Sequence, residues 1–270
     1  MFHRRYRSHH DAEFALKNFL KISRSKPLSE TQMLKTLNSF PEKDNRVIYF
    51  HVPYCDRLCS FCNLNREFCG GSAEERNKTL EKYTDYLIQK IDKYSNYEYI
   101  KSKPFKSIYF GGGTPTIFST EQLERILKEI NDRIPMTNDC EFTFESTLHN
   151  LNEEKVNMMK NFGVNRLSIG IQTFNTSGRK MLSRSFTYLE TVKRLKVLRN
   201  QFDGTLCIDI IYSYPGQSIE NIFNDSNTIV SCGVDSVSFY SLMLHEDSFL
   251  SKQIDNGSVL FDRTLESDKK

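Results

Sequence analysis

Three cysteines crowd the run Tyr49-Phe-His-Val-Pro-Tyr-Cys-Asp-Arg-Leu-Cys-Ser-Phe-Cys62, at Cys55, Cys59 and Cys62. Thiolates so spaced can hold three irons of a cubane iron–sulfur cluster and leave the fourth without a protein ligand. A fully ligated cluster passes electrons, whereas an open iron is a place for chemistry, so the spacing points to a 4Fe-4S cluster with a redox role. A structural zinc site normally uses four ligands, often as two paired cysteine motifs. Cys69 could complete such a set, but three residues separate Cys55 from Cys59 and no paired motif follows Cys62, so the spacing favours the cluster. A disulfide framework is disfavoured, because seven cysteines in 270 residues are sparse and no secretory leader is evident. Cys140, Cys207 and Cys232 are scattered and read as buried structural thiols.

The elements that must position these thiols follow from hydrophobic patterning. Strand-like runs are expected at Val47–Val52, Ser107–Phe110, Glu141–Glu145, Arg166–Ile171, Leu206–Tyr212 and Ser236–Leu242. Amphipathic helical stretches lie between them at Glu74–Tyr94, Thr120–Asp132, Asn152–Asn161, Tyr188–Asn200 and Ser218–Ser231. Thr120 reads as an N-cap, and Gly163 and Gly233 as helix stops. Alternating strands and helices imply an α/β fold with a parallel sheet and right-handed crossovers, here a partial (β/α)6 barrel over residues 47–250. Residues 1–46 read as an N-terminal arm, helical at Asp11–Ile22, and a polar connector containing Pro27 and Pro41. Residues 251–270 are polar and charged and give no sign of a packed element.

Composition narrows the function classes. With 38% hydrophobic residues in 270, the chain can bury the core of one large α/β domain. A net charge of +3 is too small to argue for nucleic acid, and the basic stretch from Arg4 to Lys26 reads as a solvated arm. No run approaches the ~20 apolar residues of a membrane span. Reduced thiols without an export signal point to the cytoplasm.

In parallel βα architectures, ligands gather at the carboxyl ends of strands. The cysteine loop follows the first strand and Gly111-Gly112-Gly113-Thr114-Pro115 the second; Glu145 closes the third, Gln172 follows the fourth, and Asp209 lies in the fifth. Such a succession calls for one shared site. Glycines let backbone amides approach a ligand closely, because no Cβ intervenes. Carboxylates in apolar runs are costly unless partnered, so Glu145 and Asp209 each need a ribose diol, an amino group or Arg184, or else a structural ion pair. Gln172 can donate and accept at once, or cap its own loop. His51 alternates with Tyr49 on the first strand and reads as a satisfied core residue.

Taken together, these runs resemble the radical S-adenosylmethionine superfamily, and within it the oxygen-independent coproporphyrinogen III oxidase-like branch. The resemblance is carried by His51-Val-Pro-Tyr-Cys55, the cysteine loop, Phe110-Gly-Gly-Gly-Thr-Pro-Thr116, Arg166-Leu-Ser-Ile-Gly-Ile-Gln-Thr-Phe174 and Asp209-Ile-Ile-Tyr-Ser-Tyr-Pro-Gly-Gln217. It implies that Cys55, Cys59 and Cys62 bind the 4Fe-4S cluster and that S-adenosylmethionine chelates the open iron. It further implies that Gly112, Gly113 and Thr114 contact the methionyl part, that Tyr49 and Phe61 pack near the cofactor, and that Glu145, Gln172, Arg184 and Asp209 hold it. Met243 would add a backbone contact. The implied chemistry is reductive cleavage of the cofactor to a 5′-deoxyadenosyl radical that attacks a tetrapyrrole, fed by a flavodoxin- or ferredoxin-type electron donor. Coproporphyrinogen III decarboxylation and anaerobic haem opening both fall within the branch, as does a haem chaperone that transforms nothing. Three departures stand out. Leu64 occupies the place of a further cysteine in true oxidases, Glu145-Ser-Thr-Leu-His149 lacks the proline usual in the branch, and the sequence stops near the end of the sixth unit, before the C-terminal domain of relatives, as expected of either a fragment or a chain open on its substrate side.

Overall fold

The strand Arg166–Gln172 shows how this chain divides its two sheet faces. Leu167, Ile169 and Ile171 are buried, whereas Arg166, Ser168, Gly170 and Gln172 alternate with them half-buried. One face meets helices and is apolar; the other is polar and lines an open lumen. The computed structural model describes residues 28–245 and 247–261, so the helix expected over Asp11–Ile22 lies outside the described residues. Its strands are β1 (Val47–Val52), β2 (Tyr54–Cys55), β3 (Glu67–Phe68), β4 (Phe105–Gly112), β5 (Met136–Ser146), β6 (Arg166–Gln172), β7 (Thr205–Tyr212) and β8 (Ser236–Ser241).

Six of these form one sheet in the order β1-β4-β5-β6-β7-β8, every neighbour parallel. Spatial order follows chain order without reversal, so right-handed crossovers place all the helices on one face. The sheet is therefore a barrel wall and not a doubly wound slab. β1 and β8 are not paired with each other, and the barrel stays open.

On the helix side, Phe110 stacks between Phe50 and Phe144 at 4.6 and 4.3 Å. Leu80, Leu87 and Ile91 of the helix Ala73–Ser95 and Leu123, Ile126 and Ile130 of the helix Thr120–Arg133 close over that ladder in one core. Each fully buried side chain of this size contributes about 1.5–3 kcal/mol.

Several local expectations shift. The N-cap of Thr120–Arg133 is Ser119, which forms a capping box with Gln122, and Thr120 is the first helical residue. Gly163 and Gly233 stand just past their helices with φ of +87° and +68°, conformations that favour glycine. The connector is not featureless: Ser29 and Gln32 make another capping box and start the helix Glu30–Leu37. Order also continues beyond Ser251, because the helix Phe249–Asp255 buries Leu250 in a small second cluster with Leu182, Ile211, Tyr214, Leu242 and Leu244. Ile254, Val259 and Phe261 pack against that cluster, and these few apolar residues are hidden in the sequence by charged neighbours. Among the described residues no helix is long and apolar enough to cross a membrane.

Candidate functional site

The cysteine loop is a closed excursion. β2 pairs with β3 in parallel, Glu67 N donates to Pro53 O at 2.6 Å, and Cys69 N donates to Cys55 O at 2.8 Å, so the loop's neck is tied. Underneath, Ser60 Oγ donates to Met181 O at 2.7 Å, and Ser60 O accepts from Leu250 N at 2.8 Å. The polar-looking tail thus supports the loop.

The glycine turn meets that loop backbone to backbone. Gly113 N donates to Val52 O at 2.7 Å and Thr114 N to Tyr54 O at 2.8 Å, while Thr114 Oγ1 reaches Cys55 Sγ at 3.5 Å. A Cβ on Gly113 would stand 2.5 Å from Tyr54 O and 3.0 Å from Cys55 Sγ. Neither the carbonyl nor the thiol can yield without breaking the neck. Gly113→Ala is therefore expected to lower the iron bound after anaerobic reconstitution about tenfold, read by iron and sulfide analysis against the parent chain. Unchanged iron content would mean that this close approach is not what places Cys55.

Cys55, Cys59 and Cys62 line one cavity at the carboxyl ends of the strands, with Thr114, Glu145 and Asp209 on its walls. Cys55 is buried and the other two are half-buried. Burial pushes the Cys55 and Cys62 thiols up, so loading a metal must displace their protons. Arg184 Nη1 donates to Cys59 Sγ at 3.0 Å, and its Nη2 donates to Gly170 O. Cys69 lies in the apolar core and does not line the cavity. Among the described residues no three Cys, His or carboxylate side chains converge tightly enough for a single ion. The three thiols share the lining of one cavity instead.

Glu145 and Asp209 face each other across the lumen. Glu145 accepts from Tyr109 Oη at 2.7 Å and from Gly112 N at 3.1 Å. Burial, reinforced by the negative charge of Glu145, pushes Asp209 up to about 6, against the opposing pull of Ser168, Arg166 and Arg184. Arg184 gives one N–H each to Cys59 and Gly170, and its buried Nε has no partner. A ligand offering hydroxyls, an ammonium and a carboxylate suits this set: two carboxylates that accept, a guanidinium that donates, and a glycine cradle.

Gln172 joins the cavity through a bulge. The β6–β7 register slips between Gly170 and Gln172, and Gln172 has a φ of +73°. A Cβ on Gly170 would lie 2.9 Å from Gln172 Nε2, so that glycine makes room for the amide. Phe61 lines the same cavity. Two of the implied cofactor residues sit elsewhere. Tyr49 is half exposed, bonds His51 Nδ1 at 3.0 Å and stacks on Tyr109, outside the cavity wall. Met243 lines an adjoining apolar pocket with Phe61, Leu64, Ile211 and Phe239, which opens onto the first through Gln172 and Asp209. Sequence reasoning overlooked Ser168 and His149, which also line the cavity. Strict alternation along β6 could have found Ser168; no local signal marks His149.

The sequence signature of the Radical SAM superfamily matches residues 49–226. The chain is 29% identical over 235 residues to an anaerobilin synthase of Escherichia coli O157:H7, covering 86% of this chain and 52% of that protein. It is 30% identical over 206 residues to a heme chaperone, HemW, of Lactococcus lactis, covering 76% of this chain and 51% of that one. The chain thus spans about half the length of these relatives. The solved structure of coproporphyrinogen III oxidase (HemN) from Escherichia coli superposes with a TM-score of 0.76 at 22% identity, over 93% of this chain and 58% of that one. At that identity the likeness establishes the fold.

Proposed function

The chain belongs to the radical SAM superfamily, and on that premise we propose that it is a radical enzyme acting on a tetrapyrrole. The superfamily's cofactors are a 4Fe-4S cluster and S-adenosylmethionine, which when bound supply one-electron reductive chemistry. The observation that carries the proposal is the single cavity joining three thiols, a glycine cradle, two carboxylates and Arg184. Cys55, Cys59 and Cys62 would hold the cluster. Gly112, Gly113 and Thr114 would take the methionyl portion, with Asp209 on a ribose hydroxyl and Glu145 on an amino group. Gln172 and Arg184 would orient the cofactor, and the surrounding wall would limit water. Tyr49 and Met243 would act at one remove, Tyr49 by stacking behind Tyr109 and Met243 from the adjoining pocket.

The tetrapyrrole assignment draws on the relatives, whose names share that class of molecule: anaerobilin, heme and coproporphyrinogen. The apolar pocket beside the cysteine cavity offers a flat, greasy wall suited to such a ring. Leu64, exposed on that wall where true oxidases carry a further cysteine, weighs against coproporphyrinogen decarboxylation. A flavodoxin- or ferredoxin-type donor would supply the electron. The deciding experiment is anaerobic reconstitution followed by incubation with reductant, S-adenosylmethionine and either haem or coproporphyrinogen III. Deoxyadenosine together with an altered tetrapyrrole supports the enzyme. Stable haem retention without turnover identifies a chaperone and overturns it.

A further inference from the structure

Asp56 directly follows the first cysteine of the loop, and its carboxylate does not face solvent. It accepts from His149 Nε2 at 3.1 and 3.0 Å and from Asn150 Nδ2 at 3.2 Å, across 93 and 94 residues of sequence. The Asp56 and His149 side chains are 17% and 16% exposed, so water competes little for the contact. His149 lies in a short 3₁₀ turn, Leu148–Asn150, that begins where β5 ends.

Donor and acceptor bookkeeping around this group shows how fully it is engaged. The Asn150 nitrogen is on Asp56, so its Oδ1 faces Thr147 and accepts the Thr147 hydroxyl proton. Thr147 Oγ1 also contacts His149 Nδ1 at 3.0 Å. Having given its one proton to Asn150, Thr147 can only accept from the ring there. On the other side Nε2 meets both Asp56 oxygens, so both imidazole nitrogens are engaged within the ring Asp56–His149–Thr147–Asn150. Since both are spent inside the ring, His149 has no free nitrogen for a metal or a substrate, although it borders the cavity.

The clamp reaches further through Lys155. Its Nζ donates to Asn150 O at 3.2 Å, Thr116 O at 2.9 Å and Phe118 O at 2.7 Å, tying the turns after β4 and β5 together. The cysteine loop, the glycine turn and the strand end that carries Glu145 therefore share one polar knot.

We infer that His149, held between Asp56 and Thr147, is a positioning residue that locks the cysteine loop to the end of β5 and sets where Cys55 lies. The test uses the 270-residue, cluster-free chain under anaerobic conditions, with iodoacetamide alkylation followed residue by residue by mass spectrometry. Cys55 is 6% exposed and Cys140, in the core, is 8% exposed, so both start protected. His149→Ala and Asp56→Ala should each speed Cys55 labelling about tenfold, the worth of one lost charged hydrogen bond, and leave Cys140 unchanged. The double variant should label no faster than either single variant. His149→Gln, whose amide nitrogen can still meet Asp56, should hold Cys55 labelling within about twofold of the parent rate, a rescue that a merely structural role would not require. No rescue by glutamine, an unchanged Cys55 rate in the alanine variants, or Cys140 accelerating in step with Cys55 would each overturn the inference.

Discussion

Cys59→Ala is expected to bleach the anaerobically reconstituted protein, removing its broad visible absorbance, while Cys69→Ala leaves the colour intact. Cys59 is half-buried on the cavity wall and already receives a hydrogen bond from Arg184, so its sulfur is both accessible to iron and held in place. Cys69 points into the apolar core beneath the loop, where burial pushes its thiol up and disfavours the ligand form. Its backbone still matters, because Cys69 N closes the neck at Cys55 O, and alanine preserves that bond. Cluster assembly is all-or-none in its dependence on three ligands, so the two variants should differ by essentially the whole iron content. Bleaching in Cys69→Ala would show that the ligand set is wrong. Zinc without iron or sulfide in anaerobic material would remove the radical reading altogether.

The second large effect concerns Asp209→Asn, which should raise stability and weaken cofactor binding together. Burial and the neighbouring charge of Glu145 raise Asp209 to about 6 in the fold, from an ordinary value of 3.8. The folded state therefore holds this proton more tightly than the unfolded chain does. The resulting stabilisation is complete below pH 3.8 and is lost as pH rises through about 6, so at pH 7–8 the ionised carboxylate is a burden on the cofactor-free protein. Asparagine removes that burden, a gain on the order of 2 kcal/mol, or ~5 °C in Tm. The gain should shrink as pH falls through about 6 and be gone below 3.8, where Asp209 is protonated in both the folded and the unfolded chain. S-adenosylmethionine affinity should fall about tenfold at pH 8, since a carboxylate is the better acceptor for a ribose hydroxyl. Thermal melts across pH and equilibrium binding separate the two readings. A variant that is less stable at pH 8, or one that binds the cofactor unchanged, would show that Asp209 is partnered differently.

Much of this architecture was legible because its signals are local. Period-2 and period-3.6 patterning marks strands and helices without knowledge of their neighbours, and a βα repeat leaves little topological choice. That is why five of the six expected strands fall within observed ones and the sixth, Ser236–Leu242, overruns β8 by only Leu242, although β5 extends back to Met136, well before Glu141. The helix Glu30–Leu37 and the ordered end around Phe249–Asp255 were harder to see. Each is short, and its few apolar residues gain meaning only from the surface they cover.

The sequence by itself determined which loops would share a face, because in a parallel sheet every strand ends on the same side. The close cysteine spacing and the triple glycine were likewise readable, since both act over a few bonds. Tertiary structure alone decided that Cys69 turns into the core while Cys62 turns to the cavity, and that Tyr49 and Met243 stand off it. It also decided that Asp209 feels Glu145 and that Asp56 meets His149. Those outcomes depend on strand register, curvature and desolvation, which arise from contacts between residues tens of positions apart and leave no trace in any short window of the chain.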